Sequence, residues 1–433
     1  MFKTIKNAFT IPELRSKILF TLFIIVLYRI GAAVPVPFTS LDILLAGYST
    51  TGIMNYLSLL SGSAFQQGTL FALGVSPYIT ASIVIQLLTV AIPALERMAK
   101  EGETGKQKLE KLTRYTTVGL AIITAVGYYM LMENQYGLVK KGYDNWFGIA
   151  VIIACYVAGA SIVMWLGERI DEQGIGNGIS ILLFANIVSS LPNQIMSYAA
   201  TLNAAEVATV IVIVMAVLAV LLTVGNVVFV TAMSDAERRI PVQYAKRVVG
   251  RKMYGGQNTN LPIKLNMSGV MPIIFANTLV SLPATILLFV NPKEGTFWYK
   301  VQHALDSDSW IYIVVLFVLI IAFAYFYISI SFNPIEVSNN LMQNGGFIPG
   351  IRPGKPTAMY ITKILNKVTL MGAFFLSIVA CVPLILNIVS GGLLGIIAFS
   401  GSTMLIVVGV IMETIREIEA QMTMRHYKGF LDN

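Results

Sequence analysis

The sequence has 433 residues, 56% of them apolar and 12% charged, with a formal net charge of +8 and a mean hydropathy of +0.74. A soluble domain carries about a quarter charged residues, so apolar excess on this scale has to face lipid. A soluble enzyme, a disordered chain and a secreted disulfide scaffold are thereby excluded. The basic excess could point to a nucleic-acid partner, but in a membrane chain it must first be set against topology.

About 20 apolar residues are needed to cross roughly 30 Å of hydrocarbon. In chain order, residues 18–34, 75–94, 115–132, 146–166, 178–191, 207–233, 267–290, 310–332, 358–386 and 393–412 predict ten helical spans. The fifth is short and led by glycine, and the ninth is interrupted by Pro383. Residues 1–17 are basic and polar with no small-residue cleavage site after the first span, so that span is read as retained. Cys155 and Cys381 both sit inside apolar runs and report on packing. The fold class is therefore an all-α polytopic membrane protein.

Charge placement sets the orientation. Of thirty Lys and Arg, only Lys140, Lys141, Lys293 and Lys300 fall on one side, and Arg29 lies within the first span. All the others fall on the opposite side, which predicts that both termini are cytoplasmic. Five spans precede an uncharged outer loop over 192–205 and five follow it, so the second half runs opposite to the first, as an inverted repeat does. The halves are 1–200 and 201–433. Gly74-Val75-Ser76-Pro77 and Gly269-Val270-Met271-Pro272 open the second span of each half, and Ile79 matches Ile274 at the same offset.

Residues 51–68, on the outer side, are half apolar yet too short and polar to span. The residues alone leave two readings open: a segment filling a protein cavity at membrane depth, or an amphipathic turn lying on the outer surface.

Lys363 and Lys367 belong to the cytoplasmic mouth of the ninth span; otherwise Arg29 is the charged side chain of the ten spans, which hold no Asp, Glu or His. Coupled transporters place acidic or histidine relays there, so the chain reads as a passive conduit without catalytic, metal or cofactor chemistry. Arg29 is expected to reach the outer interface along its aliphatic stem. Gly354-Lys355-Pro356-Thr357 is no phosphate loop, because Pro349 replaces the first glycine and Pro356 removes a backbone donor.

Two cytoplasmic loops are longer than topology requires. Loop 234–266 carries the basic pairs Arg238-Arg239, Lys246-Arg247 and Arg251-Lys252, between which Ile240, Val242 and Tyr244 alternate as in a strand. Loop 333–357 ends in a glycine- and proline-rich tip that presents Arg352. Together they fit docking of a large anionic or acidic partner such as a ribosome or a motor protein.

Several strings are similar to the SecY family of protein-translocase channels. They are Tyr28-Arg29-Ile30-Gly31, Phe71-Ala72-Leu73-Gly74 with Pro77-Tyr78-Ile79, Gln86-Leu87-Leu88-Thr89, Lys100-Glu101-Gly102-Glu103, Gly174-Ile175-Gly176-Asn177-Gly178-Ile179-Ser180, Tyr244-Ala245-Lys246-Arg247 and Pro349-Gly350-Ile351-Arg352-Pro353-Gly354. The resemblance implies two halves closing as a clamshell around an hourglass pore, in a bacterial plasma membrane. Its waist would be an apolar ring of Ile79, Ile83, Leu183, Ile187, Ile274 and Ile406. Residues 56–66 resemble the plug helix that fills the outer funnel, with Tyr56, Leu57, Leu59, Leu60 and Phe65 as its apolar face. Spans two and seven, with three and eight beside them, would form a lateral gate with Gln86, Asn277 and Thr278 at the seam. Opening would hinge near 192–205. The implied partners are the small subunits SecE and SecG, the SecA motor, the ribosome, and the signal sequences and nascent polypeptides that pass into or across the lipid bilayer. An inverted-repeat secondary transporter is the alternative, and it predicts buried charges that the spans lack. A pore-free insertase or scaffold would leave the plug and the ring without a task.

Overall fold

The computed structural model describes residues 8–39, 61–62, 64–65, 67–136, 139, 145–204, 209–244, 247–249, 252–254, 258–290, 295–306, 309–389 and 395–428. The first helix, α1 (Pro12–Gly31), starts with proline in its first turn and buries Leu14, Thr21, Ile24 and Tyr28. These lie on one face at helical spacing, while Leu19, Leu22, Phe23 and Val26 on the other face stay exposed. Helix α2 (Ser76–Ala91) also has proline in its first turn and stops at Ile92, which is extended ahead of Pro93. The short α3 (Pro93–Lys100) leaves it at 101°. Next come α4 (Glu103–Tyr136), α5 (Trp146–Gln173) and α6 (Gly178–Ala204). At about 1.5 Å per residue, the 34 residues of α4 run roughly 50 Å, so its charged first turns extend beyond a ~30 Å hydrocarbon layer.

The rest of the chain begins with α7 (Thr209–Asp235) and the strands β1 (Glu237–Tyr244), β2 (Arg247–Val249), β3 (Lys252–Tyr254) and β4 (Asn258–Lys264). There follow α8 (Met271–Val290), α9 (Phe297–Ala304), α10 (Trp310–Ser331), α11 (Pro334–Gln343), β5 (Gly346–Phe347), α12 (Lys355–Val389) and α13 (Gly395–Lys428). The alternation of Ile240 and Val242 does make a strand: both are buried, and β1 pairs antiparallel with β4 from Glu237↔Lys264 to Gln243↔Asn258. On its other edge β1 pairs with β5 through Gln243↔Phe347 and Tyr244↔Gly346. The two long loops are thus one platform. Ile240, Val242, Ile263 and Ile348 pack with Ile361 and Leu365 of α12, because the sheet's apolar face must be covered.

Each of the ten predicted spans falls on a helix. Among the described residues, Glu103–Glu133, Trp146–Gln173, Trp310–Gln343 and Lys355–Val389 are each long and apolar enough to cross a membrane. The bent pair Ser76–Ala91 and Pro93–Lys100 makes a fifth candidate, and Gly178–Pro192, Val220–Asp235 and Met271–Leu287 are shorter apolar helices. Exposed apolar side chains such as Val217, Leu221, Val224 and Val228 on α7 and Val314 and Val318 on α10 form a lipid-compatible exterior. This is a multi-pass membrane protein.

Three expectations change. Residues 192–205 are no loop as far as Ala204: α6 runs through Pro192. One proline forfeits one backbone hydrogen bond, and the following Met196, Ala199, Ala200 and Ala204 favour resuming the helix. In the same way α12 passes Pro383 without a break. Arg29 points inward instead of reaching the interface. Its Nη1 is buried without a hydrogen-bond partner among the described residues, and a Cβ on Gly62 would lie 2.7 Å from it. Tyr28, stacked on Phe71 at 5.5 Å, turns this end of α1 toward the core and carries Arg29 with it.

The repeated fragment has a common backbone form. Gly74 and Gly269 both adopt positive φ, at 53° and 63°, a conformation that glycine enters without penalty. Each stands two residues before a helix whose second residue is proline. The two helices so launched, α2 and α8, touch.

Candidate functional site: an apolar waist beside a helix seam

Ile79 and Ile83 are one helical turn apart on α2, and Leu183 and Ile187 are one turn apart on α6. With Ile274 on α8 and Ile406 on α13 they belong to a single buried cluster, each 5% exposed or less. Four helices therefore bring six branched aliphatic side chains into one core of buried hydrophobic residues. Such a cluster can bar water and ions, because filling an apolar constriction with water is unfavourable. It can still part for a chain, since none of the six is tied by a directional bond.

Beside it runs the seam between α2 and α8, with α4 in contact with both and α10 packed on α8. Asn277 and Thr278 are buried there, and Gln86 is half-buried. Each of these residues has a hydrogen-bond partner that does not cross the seam. Thr278 donates to the Ile274 carbonyl at 2.7 Å, Gln86 Nε2 to Ser82 Oγ at 3.3 Å, and the Tyr312 hydroxyl to Asn277 Oδ1 at 3.5 Å. No strong bond crosses from α2 to α8 among the described residues, so the seam can part without stranding a polar group. A cavity of about 80 Å³ opens here, lined by Ile79, Thr80, Thr124, Thr278, Ser281 and Thr285 among others. The hydroxyl stripe Thr278, Ser281 and Thr285 went unnoticed in the sequence, although its spacing of three and four marks one face of α8.

Next to β4 a polar cavity of about 330 Å³ is lined by Asn177, Ser234, Lys264, Asn266, Ser268, Glu413 and Arg416 together with apolar neighbours. Desolvation lowers the pKa of Lys264, and nearby Arg416 adds to the effect. On the platform, Arg238 and Arg239 are exposed at the start of β1, and Arg239 Nε donates to Glu237 at 2.6 Å. Arg352 is exposed at the tip of the second loop, where Thr357 Oγ1 donates to its carbonyl and Ser338 Oγ donates to the Gly354 carbonyl, both at 2.8 Å. Gly350 and Gly354, at φ 82° and 91°, make the turns that hold it out.

The SecY family model matches residues 69–415. A protein from Streptomyces galbus named "Protein translocase subunit SecY" is 42% identical over 446 residues, covering all of both chains. The chain belongs to the SecY family. Solved structures agree at the level of the fold. "The structure of a protein conducting channel" aligns with a TM-score of 0.65 at 16% identity over 94% of this chain and 92% of that one. "Sec61 in the Canine ribosome-channel complex from the endoplasmic reticulum" aligns with a TM-score of 0.61 at 15% identity over the same shares.

The remaining residues expected of a SecY chain divide as follows. Tyr56, Leu57, Leu59 and Leu60 of the expected plug lie outside the described residues, as do Lys246 and Arg251 of the basic pairs. Arg247 and Lys252 fall on β2 and β3. Phe65, at the end of the expected plug, is buried against Tyr128 with ring centroids 4.7 Å apart, and its amide donates to Ser61 Oγ at 3.0 Å. Its carbonyl accepts from the Tyr128 hydroxyl. Phe65 is therefore packed against α4.

Proposed function

We propose that this chain gates polypeptides through an hourglass pore whose waist is the ring of Ile79, Ile83, Leu183, Ile187, Ile274 and Ile406. The chain is a protein-conducting channel and not an enzyme. The observation that carries the pore reading is the convergence of these six side chains from four helices into one buried cluster directly beside the α2–α8 seam. At rest the apolar waist blocks ions. A translocating chain spreads the ring, and an apolar segment leaves sideways between α2 and α8, past Gln86, Asn277 and Thr278, into lipid.

In this reading all ten apolar stretches cross the membrane of a bacterial cell with both termini cytoplasmic, and halves 1–200 and 201–433 move as rigid bodies. Residues 56–66 plug the outer side; burial of Phe65 against Tyr128 supports a seat inside the protein for the end of that segment. Arg238, Arg239, Lys246, Arg247, Arg251, Lys252 and Arg352 form the docking face for SecA or a ribosome. The pairing of β1 with β5 supports this, because it presents both loops as one surface. SecE and SecG complete the complex against lipid-facing helices. The transporter alternative is not favoured, since the spans hold no acidic or histidine relay.

Ile274→Asn tests the waist. A wetted ring should raise resting conductance in planar bilayers on the order of ten-fold. Unchanged conductance in a correctly folded variant would remove the pore assignment.

A further inference from the structure

A chain of hydrogen bonds crosses the boundary between the proposed halves at the cytoplasmic end. Lys17 Nζ on α1 donates to Gln421 Oε1 at 3.2 Å, and Gln421 Nε2 donates to Glu417 Oε1 at 3.1 Å, both acceptors on α13. The other oxygen, Glu417 Oε2, accepts the backbone N–H of Gly176 at 2.8 Å. Gly176 belongs to the tight turn between α5 and α6, and it has φ +82°. A Cβ there would lie 3.0 Å from Thr414 Oγ1 of α13, so the turn sits flush against that helix.

The turn is fastened from its own half as well. Ile175 N–H donates to Thr21 Oγ1 at 3.1 Å and Gly178 N–H donates to Asp171 Oδ1 at 2.7 Å, while Ile175 also packs against Ile418 of α13 in the other half. Glu417 supplies the hydrogen bond by which the other half holds this turn, and a charged acceptor makes it one of the stronger kind.

The turn launches α6, and Leu183 follows Gly176 by seven residues, two helical turns. Ile406 lies on α13 eleven residues before Glu417, about three turns. One carboxylate therefore joins the two helices that carry Leu183, Ile187 and Ile406. We infer that Glu417 is a positioning residue for the waist: by holding the Gly176 turn against α13, it keeps the α6 and α13 parts of the ring in register and biases the channel toward closure. The inference rests on the waist proposed above. The contact lies between α6 and α13, away from the α2–α8 seam, so it acts as a cytoplasmic pivot while the seam parts. The unbroken stretch of α6 from Gly178 to Ile187 suits such a pivot, because a stiff helix passes motion at its first turn on to Leu183 and Ile187.

The test compares Glu417→Ala, Glu417→Asp and Glu417→Gln in planar bilayers and in thermal unfolding, beside Ile274→Asn. Alanine removes the acceptor, and aspartate keeps the charge but falls one methylene short of Gly176. Both should raise resting conductance roughly ten-fold, the scale of one strong hydrogen bond in a two-state bias. Glutamine keeps an acceptor at the same reach and should stay within about three-fold of the parent. A purely structural role would lower the melting midpoint of the alanine and aspartate forms without a leak. If Ile274→Asn leaks and neither the alanine nor the aspartate form does, the positioning role is overturned and the waist stands. A glutamine form that leaks as much as alanine also overturns it. If Ile274→Asn itself is tight, the waist and this inference fall together. Should the alanine form not fold, the aspartate and glutamine pair decides.

Discussion

Two arginines on the sheet platform have different local chemistry. Arg239 is paired with Glu237 at 2.6 Å, whereas the Arg352 guanidinium has no ion pair among the described residues. The loop that presents Arg352 is fixed from below, by Ser338 on the Gly354 carbonyl and Thr357 on its own carbonyl, so an exposed charge is held in one place. Structure spent on orienting an unpaired cation suits recognition of an acidic partner. Arg352→Glu should abolish motor-driven secretion into membrane vesicles while leaving insertion of membrane segments intact. Its melting midpoint should move little, because exposed substitutions typically shift stability by about 0.5 kcal/mol or less. Normal secretion by the variant would reduce the tip to a turn. The type and exposure of Arg352 were legible from the Gly-Pro-rich string around it. The inward turn of Arg29 was not, because it follows the stacking of Tyr28 on Phe71, more than forty residues away.

Among the helices, close approaches are set by glycines whose partners are distant in sequence. Gly159 on α5 faces the Leu70 carbonyl, which an added Cβ would meet at 1.9 Å. That carbonyl belongs to backbone and cannot swing away, so relief requires α5 to move off the 69–75 segment. Gly159→Ala should therefore destabilise the protein by about 1–3 kcal/mol, the usual range for overpacking, seen as a lower melting midpoint in detergent. An unchanged midpoint would mean that α5 can shift freely. The helices themselves were readable because some twenty consecutive apolar residues make a signal that polar loops do not imitate. Their ends were less so. Pro192 looked like a boundary, yet α6 continues past it, since the loss of one hydrogen bond is outweighed by those of the residues beyond. The strand character of 240–244 was readable from alternation. Its pairing with Gly346 and Phe347 was not, because α8, α9, α10 and α11 lie between them and decide where the chain returns.

Over the whole molecule, apolar side chains remain exposed on α1, α7 and α10. Lipid can cover all of them, and so can other apolar helices. Purification from mild detergent should accordingly bring down one or two small membrane subunits, detected by mass spectrometry of the intact complex. A chain that purifies alone would weaken the assignment of SecE and SecG. The two-fold logic is visible at the same scale: glycines at positive φ before α2 and α8 give both helices the same start, and the helices so launched meet at the seam. A fragment of repeated sequence thus marks a place in the fold where the two parts of the chain come together.

The residues alone were enough to place the chain in lipid and to mark the apolar centres of its helices, because the cost of burying charge in hydrocarbon acts residue by residue and leaves a local record. They also carried the family strings. It took the packing to show that Ile79, Ile83, Leu183, Ile187, Ile274 and Ile406 share one cluster, that strands from two long loops pair in one sheet, and that Glu417 grips the Gly176 turn from another helix. An isoleucine in a span looks the same whether it faces lipid, a neighbour or a pore. What separates these is the partner opposite, and the partner is chosen by how the helices pack, which no local run of residues encodes.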